Sequence, residues 1–74
     1  MEYLIVINKD EEADVWIACN SQIPIVLEDS SLDRLMERVK DAAPEIIELN
    51  NLPEPSYLSF VIQATIREEI LQHG

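Results

Sequence analysis

The apolar residues of this 74-residue chain change their spacing twice, and these changes limit the possible folds more than any other feature. Up to residue 27 they come in three short runs, YLIVI, VWIAC and IPIVL, which have the length and the branched side chains of strands. Within residues 32–47 the apolar residues recur at three- and four-residue steps, which is the spacing of one buried stripe on a helix. From residue 57 they alternate with polar residues, except at Val61. The pattern predicts the order β-β-β-α-β.

The boundaries of these elements follow from the same pattern. The predicted strands and the predicted helix cover about residues 3–8, 14–20, 23–28, 57–67 and, for the helix, 31–49. Pro44 should kink this helix or divide it into two short helices with one buried face. Asp29 or Ser30 is the expected N-cap, with Ser30 and Asp33 as a variant of the capping box. Pro24 has no N–H to donate, so the third strand should lie at a sheet edge.

These elements predict one α+β domain over residues 1–74. If the first three strands form an antiparallel meander, a right-handed crossover through the helix places the fourth strand beside the first. The expected strand order is 3-2-1-4, with the helix on one face of the sheet. The strand edges and the opposite face would then be available to another chain.

The charge of the chain restricts its partners. Asp and Glu number 15 against 5 Lys and Arg, which gives a formal charge of −10. This charge repels nucleic-acid backbones and anionic membranes and favours a basic protein partner, although acidity can also serve solubility alone. A chain of this length removes only about 60% of its unfolded surface on folding, so a homodimer or a higher homo-oligomer is expected. Without a signal peptide or an apolar span of about 20 residues, a cytoplasmic location is expected.

Residues that usually carry chemistry are few. His73 is the single histidine, and Cys19 is the single cysteine and is interpreted as a buried structural thiol. The acidic hairpin loop KDEEAD is typical of a solvated turn rather than a cation site. Trp16 is assigned to the core or to a dimer core, and the helix face with mixed charge to solvent, with ion pairs such as Arg34 with Glu37. We expect no catalytic, cofactor-binding or metal-binding residue and no enzyme activity. A small enzyme or a metal-dependent hydrolase is kept only as a third alternative.

Several short segments together resemble the HicB-like antitoxin family. They are Tyr3, the segment KDEEADVWIA, the dipeptide Ile23-Pro24, the acidic residue before SSLDRLMERV, and PEIIELN, which is similar to the PELLELN-type segment of a small single-domain branch. The resemblance covers about residues 3–66 and implies a degenerate RNase-H-like fold. It also implies that the domain neutralises a small basic RNA-cleaving toxin of the HicA type by masking its surface. The chain departs from the family's usual IPG, because Ile25 replaces the glycine.

The expected partner-binding residues lie in the third strand, at its acidic junction with the helix, and on the exposed face of the helix. They are Ile23, Pro24, Ile25, Glu28, Asp29, Asp33 and Glu37. The alternative function is a stand-alone oligomeric interaction or structural module that has no toxin partner.

Overall fold

The computed structural model describes residues 1–64 and residue 70. The elements in these residues are β1 (Glu2–Asp10), β2 (Val15–Cys19), β3 (Val26–Asp29), α1 (Leu32–Leu49) and β4 (Tyr57–Gln63). The strands form one sheet in the order β3-β2-β1-β4, in which β2 is antiparallel to both β1 and β3, and β4 is parallel to β1. The α+β class, the element order and the strand order are therefore confirmed.

The core lies between α1 and one face of the sheet. The buried side of α1 follows the predicted stripe at four-residue steps, and β1 supplies alternate residues from the strand beneath it. The buried residues are Tyr3, Ile5, Ile7, Ala18, Ile23, Ile25, Leu35, Val39, Ala43 and Ile47. Trp16 packs against this core while partly exposed, with the Lys9 Nζ 4.9 Å from its ring centroid.

The segment before β3 differs from the prediction, because β3 begins at Val26 and not at residue 23. The Asn20 Oδ1 accepts hydrogen bonds from two backbone N–H groups, one of them that of Ile23 at 2.9 Å. The N–H of Ile25 donates to the carbonyl of Ile23 at 2.8 Å. These local bonds replace the strand ladder over three residues. Pro24 therefore precedes the edge strand instead of lying within it.

The start of α1 also differs from the prediction, because the N-cap is Ser31 and not Asp29 or Ser30. The Ser31 Oγ accepts a hydrogen bond from the N–H of Arg34 at 3.2 Å, and the Ser31 backbone is extended. From there α1 runs as one helix through Pro44, so a division into two helices is wrong. Pro44 is exposed, which leaves the carbonyl that loses its donor close to water.

The end of the sheet beyond α1 is only partly covered. Leu58 and Phe60 are half-buried, and Ile62, predicted to face the core, is 47% exposed. Cys19 is half-buried rather than fully buried. The predicted extension of the last strand over residues 65–67 and the lone His73 lie outside the described residues. α1 does not have the length and apolar content of a membrane-spanning helix, and residues 1–64 contain no other helix.

Candidate functional site

Asp29 is the centre of a charge cluster between β3 and α1. The Arg34 Nε donates to both carboxylate oxygens of Asp29 at 3.0 Å, and the Arg38 Nη1 lies 3.3 Å from Oδ2. The N–H of Ser31 donates to Oδ1 at 2.9 Å. The hydrogen bond from Arg34, followed by the one from Ser31, lowers the pKa of Asp29 to about 2. Only 9% of the Asp29 side chain is exposed, so this carboxylate mainly connects β3 to α1.

The side chains of the two arginines of α1 therefore point toward β3 and not along the outward face of the helix. The Arg38 Nη1 also donates to the carbonyl of Glu28 at 2.8 Å, which directs its side chain toward β3. The predicted ion pair between Arg34 and Glu37 is wrong, because Arg34 pairs with Asp29. Glu37 pairs instead with Lys40, whose Nζ lies 2.9 Å from the Glu37 Oε1. The face that looked mixed in sequence is therefore largely acidic in three dimensions.

We define the acidic ridge as the five exposed carboxylates of α1 that repeat at steps of four, four, four and three residues. At about 100° per residue they lie on the side of α1 opposite its buried stripe. They extend over about 22 Å at about 1.5 Å per residue. The members are Asp33, Glu37, Asp41, Glu45 and Glu48.

The face of the sheet away from α1 forms a second surface, the open sheet face. The strand registers place apolar residues side by side on it, and several are well exposed: Leu4 by 44%, Val26 by 74% and Val61 by 37%. None of the elements described over residues 1–64 covers this face. Its apolar and aromatic members are Leu4, Val6, Ile17, Cys19, Val26, Tyr57 and Val61.

A third feature, the helix-end cleft, lies between the carboxyl end of α1 and the start of β4. It encloses about 770 Å³, and its lining includes Ile47, Glu48, Leu52, Glu54 and Tyr57. Residues 50–56, between α1 and β4, form the loop along this cleft. The carboxylates of this cleft belong to that loop and to the acidic ridge, so the two surfaces are continuous at Glu48.

The loop that shapes the cleft begins with a tight helix cap. Asn51 has φ of 52°, the left-handed conformation, and its N–H donates to the carbonyl of Glu48 at 3.1 Å. The N–H of Leu52 donates to the carbonyl of Ile47 at 3.0 Å. This pair of bonds is a Schellman motif, which favours Gly or Asn at the left-handed position. The sequence signal that could have located it is an Asn two residues after the last helical residue.

The predicted partner-binding residues fall into different environments. Ile23 and Ile25 are each only 2% exposed, so they belong to the core and their side chains are not available to a partner. Pro24 is exposed, and Glu28 is exposed on the edge strand at the side of the open sheet face. Asp33 and Glu37 lie together on the acidic ridge. No cluster of three or more potential metal ligands occurs within the described part of the chain.

Comparison with known proteins identifies the family. The model of the family "Domain of unknown function (DUF1902)" matches residues 2–73. The chain belongs to DUF1902. The DUF1902 chain is similar in structure to hypothetical protein TTHA1013 from the extremely thermophilic bacterium Thermus thermophilus, with a TM-score of 0.73 and 22% identity over 95% of this chain and 100% of that one. At this identity the similarity shows a shared fold alone. No curated protein matches the chain.

Proposed function

We propose that this DUF1902 protein is a HicB-like antitoxin that binds a small basic RNA-cleaving toxin and masks its surface. The acidic ridge carries the proposal. Its five carboxylates repeat at steps of about 6 Å along one rigid helix, and within residues 1–64 only Glu37 among them has a cation partner. A surface that binds RNA is basic because it must neutralise phosphates, and the ridge offers it a comparable row of anions.

The acidic ridge would act first on the rate of association. A formal charge of −10 attracts a basic partner over distances of about 10 Å at moderate salt, and a row of like charges orients it. Charge complementarity of this kind raises the association rate and selects the partner more than it adds affinity. Masking then requires only that the bound antitoxin exclude RNA, so it needs no catalytic group.

The sequence resemblance supports the same function. Asp33 and Glu37, two of the residues expected to bind the partner, both lie on the acidic ridge. Pro24 and Glu28 lie on the surface near the edge strand β3 and are further candidates for contact. Asp29 contributes indirectly, because it holds the arginines of α1 away from the ridge.

The proposal can be tested by co-expressing this chain with the protein encoded by the neighbouring gene. We expect the neighbour to be a small basic protein that cleaves RNA and arrests growth, and we expect co-expression to restore growth. The double variant Asp41→Lys and Glu45→Lys should slow association severalfold and weaken its dependence on salt. The matched control is Glu11→Lys with Glu12→Lys, which changes the charge equally in the exposed hairpin loop. A harmless neighbour, or equal association rates of both double variants with that neighbour, would refute the proposal.

The open sheet face supports a second candidate function, a stand-alone oligomeric module. Four strands about 4.8 Å apart and about six residues long present roughly 400 Å². Two such faces give about 800 Å², below the roughly 1,200 Å² of a stable interface, so pairing along the outer edge of β4 would have to contribute.

Sedimentation equilibrium separates this candidate from a monomer that awaits a toxin. If the open sheet face joins two copies, Val61→Lys should dissociate the assembly, whereas Gln22→Lys on the loop before β3 should not. A monomeric wild-type protein would exclude the oligomeric module and leave the antitoxin proposal intact.

A further inference from the structure

We infer that β4 pairs edge to edge with β4 of a second copy of this chain, antiparallel, so that two sheets become one. The inference goes beyond the antitoxin proposal and does not rest on it. It also differs from the stacking of two open sheet faces, because the contact is the outer edge of β4 and not a face of the sheet.

β4 has the apolar pattern of a central strand but lies at an edge of the sheet. Among the strands of residues 1–64, β1 is its only neighbour. Leu58 and Phe60 pack against the core on the side of α1. Tyr57 and Val61 lie on the open sheet face, where they are 70% and 37% exposed. Strands that are apolar on both sides are typical of the middle of a sheet, so the outer edge of β4 suits one more strand.

The two edges of the sheet differ in their protection against pairing. The other edge strand, β3, has only four residues, two of them acidic, and Arg38 donates to its Glu28 carbonyl at 2.8 Å. Short length and charged side chains are the usual protection of an edge. β4 has seven residues without a charge or a proline, and its register with β1 is unbroken from Tyr57 to Gln63. An edge of this kind is a template to which another strand adds.

The charge of β4 favours a second copy as the added strand. A basic partner is attracted by carboxylates, and β4 carries none in a chain of formal charge −10. Two copies can therefore align along these seven residues without placing like charges opposite each other. α1 lies closest to β2 and β3, so the acidic ridge is away from this contact.

A pair centred on Phe60 matches the two strands over their whole length. Opposite residues of an antiparallel pair point to the same side of a sheet, and a two-fold axis at this centre keeps both α1 helices on one side. On that side Leu58 lies opposite Ile62, and Phe60 lies opposite its own copy. On the other side Ser59 lies opposite Val61. The pairing would add about six to eight backbone hydrogen bonds and cover Ile62, which is 47% exposed in the single chain.

The direct test is sedimentation equilibrium of the full chain, from micromolar to millimolar concentration, in low and in moderate salt. One strand pair is smaller than a standard interface, so we expect a weak equilibrium between monomer and dimer. Salt should strengthen the dimer, because it screens the repulsion between two chains of charge −10. Binding of a basic toxin should weaken with salt instead. A chain that remains monomeric at millimolar concentration would overturn the inference.

Two matched variants distinguish the edge of β4 from the open sheet face. Ile62→Lys places a charge on the α1 side of β4 and should weaken self-association at least about tenfold. Val26→Lys makes the same change of charge on the open sheet face at β3, where Val26 is 74% exposed, and should change self-association less than about twofold. The reverse result, or an equal loss in both variants, would overturn the inference. The amide spectrum of each variant reports whether the fold is kept.

The single phenylalanine of the chain reports the register. In a mixture of unlabelled chain and chain with carbon-13 phenylalanine, isotope-filtered spectra should show the ring of Phe60 in contact with Phe60 of the other copy. A dimer without this contact would contradict the pairing.

Other occupants of the edge would give different results, each of which overturns the inference. A monomer whose β4 amides exchange slowly would show that a later part of the same chain fills the edge. A monomer whose Ile62→Lys variant no longer binds the neighbouring toxin would show that the toxin uses it.

The inference and the proposed function fail separately. If the chain is monomeric and still neutralises the toxin, the pairing of β4 fails and the antitoxin function stands. If β4 joins two copies but the neighbouring protein is harmless, the pairing stands and the antitoxin function fails.

Discussion

The two ends of α1 place carboxylates in opposite situations. At the amino end, Asp29 accepts hydrogen bonds from Arg34, Arg38 and the N–H of Ser31, and only 9% of its side chain is exposed. At the carboxyl end, Glu48 and Glu54 line an open cleft without a cation from the described residues. Carboxylates thus join two elements at one end of α1 and have no cation partner within the described residues at the other.

This contrast explains why counting charges misleads in a small acidic protein. Every cation that α1 contributes is already paired within the chain. The pairing at Asp29 stabilises the β3–α1 junction. It also directs Arg34 and Arg38 away from the acidic ridge, beside which they lie in sequence. The position of a carboxylate relative to these few cations therefore decides whether it stabilises the fold or is available for binding.

The largest effect on the free energy of unfolding is expected from truncating buried residues of α1 near each of its ends. Leu35→Ala and Ile47→Ala should each lower the free energy of unfolding in urea by about 2–5 kcal/mol, because each leaves a cavity in a thin core. Only Ile47→Ala should also shift the amide signals of the residues that line the helix-end cleft, since Ile47 is one of them. Equal shifts of these amide signals in both variants would remove the distinction between the two ends.

The next effect concerns the caps of the helix. Asn51→Ala should cost about 1–2 kcal/mol of unfolding free energy, because alanine is strained in the left-handed conformation, whereas Asn51→Gly should be close to neutral. Ser31→Ala should cost about 1 kcal/mol through the lost N-cap bond. A neutral Asn51→Ala in urea unfolding would show that the cap at the carboxyl end does not hold the cleft.

The loss of stability at low pH should depend on Asp29. Its pKa is lowered from 3.8 to about 2 in the folded protein, so its contribution is fully present above about pH 4 and is lost as the pH falls through about 2. Because Arg34 and Arg38 are largely exposed, water screens the cluster and the effect should be modest. Urea midpoints measured between about pH 5 and pH 2 should fall more steeply for the wild type than for Asp29→Asn. Asp33→Asn, which changes an exposed carboxylate in the first turn of α1, is the control and should follow the wild type.

The smallest effect on stability should come from the cleft. Glu48→Gln with Glu54→Gln should change the free energy of unfolding by less than about 0.5 kcal/mol, because in the described structure these side chains hold no ion pair to lose. A slight gain is compatible with reduced repulsion in a chain of charge −10. A clear loss in urea unfolding would mean that the carboxylates serve the fold, as Asp29 does.

The elements, their order and the buried stripe of α1 could be predicted because each follows from spacing along the chain. A period of two produces a strand and a period near 3.6 produces a helix, whatever lies around them. The same reasoning failed at Ile23 and Ile25. The N–H of Ile23 donates to the Asn20 Oδ1 and the N–H of Ile25 donates to the carbonyl of Ile23 in place of a strand ladder, and both side chains are buried. It failed again at the N-cap, because Asp29 was already occupied by arginines.

The sequence by itself determined the α+β order, the acidity and the candidate carboxylates Asp33 and Glu37, since all of these are properties of composition and periodicity. Only the tertiary structure decided which carboxylates of the described residues pair with a cation of the chain. Arg34 and Arg38 reach Asp29 across the turn between β3 and α1, and the cleft unites α1 with β4 from distant parts of the chain. Side chains pair with the nearest opposite charge in space, and sequence spacing predicts that neighbour only when both charges lie on one element.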